Sequence, residues 1–401
     1  MESKLCIFMA TENMSKTLHA YDDIISGSIK NFKNLLIINL INIISKNENF
    51  IYREHKDLKK RFNKNIEFFY PKNSREFNNL VKNKKILAFD VVGKTEKYFK
   101  IRRLFNKKNI RLILVMNHGF LSNEETYGSD NYKSYIFEKK IKIIKKIYRF
   151  LVLIKYLPPT FLYFESRREI YENCRLNKSN IFSKILPFLN MSYFKNVYLI
   201  NSKAYDYESI NKDISIQNQI TFLDGNYKHK EIMGRIKMNS EDLKKRYFKK
   251  LKIIFDWLSK IYNQKVVICL HPTSDIFEYK EYFTNCVIKK YETQKNISES
   301  SVVLFHESGS ITDAILKKKK IISLSTRIFG SYVTKRIELY RKKINLVSID
   351  IDNDSVPNQE VILKKLEHSV KNYEHYIENY LKSDKDHLGI DKIIKTIKIF
   401  I

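Results

Sequence analysis

Short apolar runs alternate along the chain with longer segments of helical period, and this alternation constrains the fold more than any other feature. Residues 4–10, 34–41 and 196–201 have the composition of buried strands, and 84–93 and 110–120 have that of strands that run into loops. Parallel strands need long connections, usually helices, so strands that are separated by helical segments predict parallel α/β layers. The first half of the chain is therefore expected to form a Rossmann-like α/β domain.

The alternation resumes in the second half of the chain. Residues 220–225 and 265–270 are expected strands, and an amphipathic helix is predicted over 239–264 between them. The stretch 300–326 has the pattern strand, turn, helix, strand, and 345–352 is one more expected strand. This half is therefore predicted to be a second Rossmann-like domain.

The domain boundaries are placed by the stretch 202–219, which is polar and has no apolar period. We predict an N-terminal domain over 1–205, a linker over 206–219 and a C-terminal domain over 220–370. Residues 371–401 are predicted to form helices that pack back across the junction. A chain of 401 residues is too long for one typical core and fits two.

The composition is that of a folded protein from a reducing compartment. Hydrophobic residues make up 43% and aromatic residues 13%, which is enough apolar material for two cores. No run of about 20 apolar residues is present, and the first residues do not resemble a secretory signal. We therefore predict a cytoplasmic protein without a transmembrane helix. The cysteines are widely spread and no pair has metal-ligand spacing: Cys6, Cys174, Cys269 and Cys286.

The formal net charge of +30 has three interpretations: a nucleic-acid partner, an anionic membrane or substrate, and a generally lysine-rich surface. Basic residues are spread through the chain, with no zinc-finger, RNP-like or compact helix-turn-helix signature. A basic nucleic-acid-binding protein therefore stays as an alternative function and is not the favoured one.

The sequence KVVICLHPTSD, residues 265–275, places a histidine directly after a predicted strand. The C-terminal ends of parallel strands share one edge of a sheet, and ligands bind there. His271 can donate to a phosphate oxygen and stabilise a leaving nucleotide, and Pro272 restricts the backbone beside it. The alternative is an ordinary polar residue at the end of a strand.

A second polar stretch, FHESGSITDAIL, follows another predicted strand. Gly309 allows a tight turn, and Ser310 is expected to N-cap a helix with Asp313 as its capping-box partner. Ser308 and Thr312 add hydroxyl groups where backbone N–H groups and the helix dipole favour an anion. This predicts a phosphate site; the alternative is a well-capped core helix.

In order along the chain, LDG at 223–225, VVICLHPTSD at 266–275 and VVLFHESGSITDAILKKKKIISLS at 302–325 carry a family resemblance. They resemble the nucleotide-binding domain of bacterial surface-carbohydrate glycosyltransferases of the GT-B fold that have an HP motif and a serine-rich motif. Among these are bacterial sialyltransferases, polysialyltransferases and Kdo transferases, which use CMP-sugars. The resemblance implies two Rossmann-like domains that face each other across a cleft.

The resemblance also implies an activity: transfer of a CMP-activated acidic sugar, such as sialic acid or a Kdo-like sugar, to a surface glycan of capsule or lipooligosaccharide or to a lipid-linked acceptor. UDP- and GDP-sugars remain alternative donors. His271 would contact the donor phosphate and assist departure of the nucleotide, and Ser308 and Ser310 would bind that phosphate. The implied donor site comprises His271, Pro272, Thr273, Glu307, Ser308, Gly309, Ser310 and Thr312.

The sequence departs from the sialyltransferase pattern in two ways. Its serine motif reads Ser-Gly-Ser, without an adjacent hydroxyl pair, and its only counterpart of the acidic motif is Asp224-Gly225, near the predicted domain junction. A general base is needed to deprotonate an acceptor hydroxyl. The candidates are Asp90 and His118, which follow predicted strands of the first half, and Asp224.

The acidic stretch SIDIDND imitates two metal sites. Asp350, Asp352 and Asp354 resemble the start of a calcium loop, but its sixth position is Ser355 and its twelfth is Val361. The Asp-Ile-Asp sequence also imitates the metal motif of GT-A transferases. We interpret it as a strand that runs into a surface turn, and we expect no metal and no cofactor, with His271 and a helix dipole in the electrostatic role of a metal.

The segment 137–164 combines lysines with large apolar residues. Its apolar run is interrupted by Lys155 and is too short to span a bilayer, but it can lie on an anionic inner membrane face with its apolar side down. The alternative is a core helix with a basic solvated face. Membrane contact suits a lipid-linked acceptor, and it also fits a non-catalytic peripheral membrane protein of the same fold.

Overall fold

The computed structural model describes residues 3–11, 14, 18, 21–32, 34–44, 66–92, 98–118, 143, 147, 150–152, 155–179, 194–211, 218–228, 240–306, 308–329, 331–353 and 357–401. Contacts between residues divide the chain into two compact units. Unit 1 comprises Met1–Asn117, Ile141–Lys203 and Lys382–Ile401, and unit 2 comprises His118–Lys140 and Ala204–Leu381. The final segment therefore belongs to unit 1, although unit 2 precedes it in the sequence.

Strands and helices alternate within the described residues. The strands are β1 (Ser3–Met9), β2 (Leu35–Asn39), β3 (Ile66–Phe69), β4 (Lys85–Asp90), β5 (Arg111–Met116), β6 (Thr160–Glu165), β7 (Phe194–Leu199), β8 (Gln219–Leu223), β9 (Lys265–Leu270), β10 (Val287–Lys290), β11 (Ser300–Phe305), β12 (Lys320–Ser325) and β13 (Val347–Asp350). The helices are α1 (Asp22–Asn31), α2 (Ile41–Ile44), α3 (Ser74–Val81), α4 (Phe99–Lys107), α5 (Arg168–Ser179), α6 (Lys203–Ile210), α7 (Ser240–Tyr262), α8 (Ile276–Tyr282), α9 (Thr293–Ser298), α10 (Ile311–Leu316), α11 (Ser331–Ile344), α12 (Gln359–Ser369), α13 (Tyr373–Tyr376) and α14 (Gly389–Phe400).

Unit 1 is built on a parallel sheet whose described strands follow the order β3-β2-β1-β4-β5-β6-β7. Successive side chains of a strand point to opposite faces. Leu5 and Ile7 of β1 accordingly pack in the layer that contains α1 and α14, whereas Cys6 and Phe8 pack in the layer that contains α3 and α4. Both faces are covered, which explains why these strands have nearly continuous apolar sequences.

Helices α1 and α14 of unit 1 approach each other closely at Gly27. A Cβ atom added to Gly27 would lie 2.8 Å from Cγ1 of Ile390, closer than real Cβ contacts. Ile393 and Ile397 of α14 are buried in the same apolar cluster as Ile24 of α1. The last described helix is thus part of the core of unit 1.

Unit 2 is built on a second parallel sheet, with described strands in the order β10-β9-β8-β11-β12-β13. Counted from β8 as the first strand, this order is 3-2-1-4-5-6, that of a Rossmann sheet. Helices α7, α8 and α12 contribute to the core on one face, and α10, α11 and α13 to the core on the other. The point where the strand order reverses lies between β8 and β11.

The prediction of two Rossmann-like parallel α/β domains is confirmed. The apolar face expected for 239–264 is also present, because Leu243, Tyr247, Leu251 and Leu258 of α7 are all buried in one cluster. In the part of the chain that the structure describes, no helix has the length and apolar character needed to cross a bilayer.

Two sequence expectations differ from the structure. The predicted basic surface segment 137–164 ends in strand β6, where Leu162 and Phe164 are fully buried, so its last residues serve the sheet and not a membrane. The polar stretch 202–219 begins with helix α6, none of whose residues is buried, which explains the missing apolar period. The backbone N–H of Lys203, its first residue, donates to the carbonyl oxygen of Asn117 at 2.8 Å.

Candidate functional site

Three strands of unit 2 end at the same level of the sheet. Leu223 of β8 is paired with Cys269 of β9 on one side and with Phe305 of β11 on the other. The residues that follow are therefore brought to one carboxyl edge, at the point where the strand order reverses and where ligands of such sheets bind. Because β8 separates β9 from β11, the His271 loop and the Ser308–Ser310 turn lie about 10 Å apart, two strand spacings.

Asp224, the residue after β8, organises the loop that carries His271. Its carboxylate is buried and accepts four hydrogen bonds. The donors are the backbone N–H of Asn226 (3.0 Å), the hydroxyl of Tyr279 (2.8 Å), the backbone N–H of His271 (3.1 Å) and the hydroxyl of Ser274 (2.6 Å). All four donors belong to the protein and hold the loop, so these contacts favour a positioning role over the predicted role as a base.

The ring of His271 is held in one tautomer. Its Nδ1 accepts from the backbone N–H of Thr273 at 3.2 Å and lies 2.7 Å from the Thr273 hydroxyl. Since a backbone N–H can only donate, the neutral ring carries its proton on Nε2. The hydroxyl of Thr273 also accepts a hydrogen bond from Nδ2 of Asn226 at 2.6 Å. The loop thus presents His271 as an Nε2–H donor, the form needed to bind a phosphate oxygen.

The turn after β11 differs in detail from the sequence expectation. Ser310 occupies the N-cap position of α10 but its side chain makes no capping hydrogen bond, because its backbone is already helical (φ −70°, ψ −2°). Asp313 instead bonds to Gln294, and burial raises the pKa of its carboxyl to about 6. The predicted capping box is therefore absent. Helix α10 has only six residues, so its dipole contributes little.

Hydroxyl groups still surround this turn. The backbone N–H of Ser310 donates to Oγ of Ser308 at 3.3 Å, and the Thr312 hydroxyl donates to the carbonyl oxygen of Gly309 at 3.0 Å. A Cβ atom added to Gly309 would meet nothing within 4 Å, so there is room for a larger residue at this position of the turn. Glu307, the remaining member of the predicted donor site, lies outside the described residues.

Sequence reasoning did not select His306, the residue that follows β11. It is buried beside the rings of Phe222, Tyr247 and Phe329, and its Nδ1 contacts the carbonyl oxygen of Leu324. Burial lowers the pKa of His306 to about 4, so the ring is neutral at physiological pH. The sequence signal that could have selected His306 is its place directly after a strand.

The structure argues against Asp90 as a general base. Both oxygens of its carboxylate accept from Nη2 of Arg102, at 2.9 and 2.8 Å, and neither side chain of the pair is exposed. The same nitrogen donates to the carbonyl oxygen of Val92 at 2.7 Å. Asp90 therefore fixes the loop after β4. The other predicted base of the first half, His118, is exposed after the end of β5.

A polar group that the sequence did not reveal lies at the carboxyl edge of unit 1. Asp23 of α1 accepts from Nδ2 of Asn117 at 3.1 Å and from Nζ of Lys203 at 3.3 Å. These three residues are far apart in the sequence, and only the order of the strands brings them together.

The acidic stretch at β13 behaves as a turn in the part of the chain that is described. Asp352 accepts from the hydroxyl of Thr326 at 2.8 Å and from the backbone N–H of Arg327 at 2.7 Å. Asp354 lies outside the described residues. Among those that are described, no three His, Cys, Asp or Glu side chains form a group able to hold a metal ion. Metal independence of the protein stays a prediction.

Comparison with known proteins gives matches by structure only. No protein-family model and no curated protein sequence matches the chain. The chain is similar to a Listeria monocytogenes protein assigned as a UDP-N-acetylglucosamine 2-epimerase, with a TM-score of 0.51, 10% identity, and 100% of this chain and 96% of that chain covered. It is also similar to the calicheamicin glycosyltransferase CalG4, with a TM-score of 0.50, 8% identity and coverage of 100% and 98%.

A third similar structure is UGT89C1 of Arabidopsis thaliana in complex with UDP-L-rhamnose, with a TM-score of 0.50, 10% identity, and 99% of this chain and 98% of that chain covered. The chain has the GT-B fold. At such low identity the likeness shows the fold alone, and since an epimerase and glycosyltransferases share it, the GT-B fold does not select the reaction.

Proposed function

We propose that the protein is a glycosyltransferase that moves a sugar from a nucleotide-sugar donor to an acceptor hydroxyl. The observation that carries the proposal is the common sheet edge of His271 and the Ser308–Ser310 turn, at the switch point of a Rossmann sheet. The Nε2–H of His271 donates to the leaving phosphate, and the serine hydroxyls bind its other oxygens. The fold shared with glycosyltransferases supports this assignment.

The finer features of the proposal follow the family resemblance. The donor is a CMP-activated acidic sugar, such as sialic acid or a Kdo-like sugar, and the acceptor is a surface glycan or a lipid-linked glycan. No metal takes part, so His271 supplies the charge stabilisation that a metal gives elsewhere. Of the three base candidates, His118 is the one with an exposed side chain, and we assign it that role.

Nucleotide binding tests the proposal directly. Purified protein is heated with CMP, CDP, UDP or GDP, with and without EDTA, and its melting temperature is measured. A ligand at 100 times its Kd stabilises the folded state by about 2.7 kcal/mol, so one nucleotide is expected to raise the melting temperature by several degrees and so to name the donor class. EDTA is expected to leave this shift unchanged.

His271→Ala tests the site. It is expected to lower sugar transfer by about 10²–10³-fold, the usual cost of losing one donor to a developing charge. The matched control is His368→Ala, because His368 is exposed and contacts a carbonyl of its own helix, Lys364. Transfer that survives His271→Ala undiminished would remove His271 from the mechanism. Salt-sensitive nanomolar binding of oligonucleotides, without nucleotide-sugar turnover, would favour the nucleic-acid alternative.

We also propose that the part of the segment 137–164 that precedes β6 contacts an anionic membrane. Ile143, Ile147 and Phe150 are helical and follow each other at intervals of four and three residues, which places them on one helix face. They are 50%, 45% and 52% exposed, so the three side chains form an exposed apolar stripe on that face. The sequence around them is basic, as an anionic surface requires: Lys139, Lys140, Lys142, Lys145, Lys146 and Arg149.

Vesicle flotation tests the membrane proposal. Replacing Ile143, Ile147 and Phe150 together with serine is expected to weaken binding to vesicles with anionic lipid by at least about tenfold, because three buried apolar groups are lost. The control replaces three apolar residues elsewhere that are more exposed still, at 65%, 76% and 75%, with serine: Ile210, Phe277 and Ile399. The proposal is contradicted if both triple variants bind the vesicles equally well. It is also contradicted if binding of the wild type does not depend on the charge of the lipid and on the salt concentration.

A further inference from the structure

Tyr291 combines two unusual properties. Its side chain is 73% exposed, and its backbone has φ 68°, in the left-handed region that bulky residues rarely adopt. The other non-glycine residues with positive φ in the described part of the chain are asparagines and lysines, so Tyr291 is the one aromatic residue among them. A strained backbone that holds an aromatic ring in solvent indicates a use for that ring.

Tyr291 stands beside the His271 loop. Lys290 of β10 is paired with Leu270 of β9, so the next residues, Tyr291 and His271, emerge side by side at the carboxyl edge. Nζ of Lys290 joins the two loops, because it donates to the carbonyl oxygen of Ser274 at 2.9 Å and lies 5.6 Å from the centre of the Tyr291 ring. The ring therefore belongs to the candidate site.

The order of the strands gives the site a direction. Along the edge, Tyr291 after β10 comes first, then His271 after β9, Asp224 after β8, and the Ser308–Ser310 turn after β11. From Tyr291 to the serine turn is three strand spacings, about 15 Å, comparable to an extended nucleotide. A phosphate bound between His271 and the Ser308–Ser310 turn leaves two directions for the nucleoside along this edge. It can extend toward Asp224, or it can extend past His271 and reach the ring of Tyr291.

We infer that the ring of Tyr291 is the stacking platform for the nucleobase of the donor. This rests on the proposed function, since it takes the nucleotide phosphate to lie at His271. Every nucleobase has a π-face, and stacking on an aromatic ring contributes binding with little base preference. The selection among CMP, UDP and GDP accordingly falls to other groups.

Three variants and two probes test the inference by calorimetry. Tyr291→Asn removes the ring and places at φ 68° a residue that tolerates this conformation, so its melting temperature is expected to equal or exceed that of the wild type. It is expected to bind the nucleotide that raises the melting temperature of the wild type about five- to hundredfold more weakly. Tyr291→Phe keeps the ring and is expected to bind as the wild type does.

The second probe, ribose 5-phosphate, has the phosphate and the sugar but no base. Tyr291→Asn is expected to bind it as tightly as the wild type, whereas His271→Ala weakens both probes. Equal nucleotide affinity of Tyr291→Asn and the wild type overturns the inference and leaves the proposed function intact. Weaker binding of ribose 5-phosphate by Tyr291→Asn also overturns it and assigns the ring to the sugar. A wild type that binds no nucleotide overturns the proposed function itself.

Discussion

Replacing Arg102 with alanine is expected to lower the free energy of unfolding of unit 1 by about 3–5 kcal/mol. Both side chains of the Arg102–Asp90 pair are fully buried, and the guanidinium also satisfies the carbonyl of Val92. Its removal leaves the buried Asp90 carboxylate without its counter-charge, with the backbone N–H of Val92 as a remaining donor, and takes one donor from the buried carbonyl of Val92. The measurement is hydrogen exchange in peptides from β1 and β4, which reports unit 1 separately from unit 2.

Two further variants give this result its meaning. Arg341→Ala breaks an ion pair with Glu338 whose side chains are 52% and 44% exposed, and it is expected to cost at most about 0.5 kcal/mol in unit 2. The double variant Asp90→Asn/Arg102→Met carries no unpaired charge and is expected to recover part of the loss. A cost of Arg102→Ala no larger than that of Arg341→Ala contradicts the buried pairing.

Replacing Asp224 with alanine is expected to lower the free energy of unfolding of unit 2 by about 3–5 kcal/mol, because four donors lose their acceptor inside the protein. Two of those donors, the backbone N–H of His271 and the hydroxyl of Ser274, fix the His271 loop. The variant is therefore expected to lose nucleotide-induced stabilisation as well. Trp257, the single tryptophan, packs against the core of unit 2, so its fluorescence in urea measures the transition.

Asp275→Ala is the matched control for Asp224. Asp275 lies in the same loop, but it is exposed, and among the described residues it accepts only from the backbone N–H of Phe277 at 2.9 Å, as the N-cap of α8. Its loss is expected to cost about 1 kcal/mol, the usual value for an N-cap, and to leave nucleotide binding in place. If the two variants cost the same, or if Asp224→Ala keeps full nucleotide stabilisation, Asp224 does not position the loop.

The strands and their carboxyl ends could be predicted from the sequence, because strands that are buried on both faces have continuous apolar sequences. The bounds predicted for strand β9 are confirmed to the residue, and the functional role of the residues after it stays a prediction. The order of the strands could not be predicted, since the sequence of one strand does not specify which other strand pairs with it. The separation of His271 from the serine turn by β8, and the position of Tyr291 beside His271, depend entirely on that order.

The roles of the acidic candidates also could not be predicted from the sequence. Asp90 and Asp224 were chosen correctly as residues at strand ends, but a carboxylate acts as a base only where it is not already occupied. The partners of Asp90 and Asp224 come from a helix twelve residues away and from residues about 50 positions along the chain. Strand β6 misled for a local reason, since its apolar residues follow a lysine-rich apolar segment, and the pair Pro158–Pro159 between them was not taken as the end of that segment.

Helix α14 completes the core of unit 1, so unit 1 cannot finish folding before unit 2 has been synthesised. A ribosome makes the N-terminal part of a chain first, and domains commonly fold in that order. Here Ile393 and Ile397 complete the apolar layer around α1, and both are made after all of unit 2. A nascent chain therefore carries an uncovered apolar face beside Gly27 while unit 2 is being translated, and that interval is when a chaperone has most to protect.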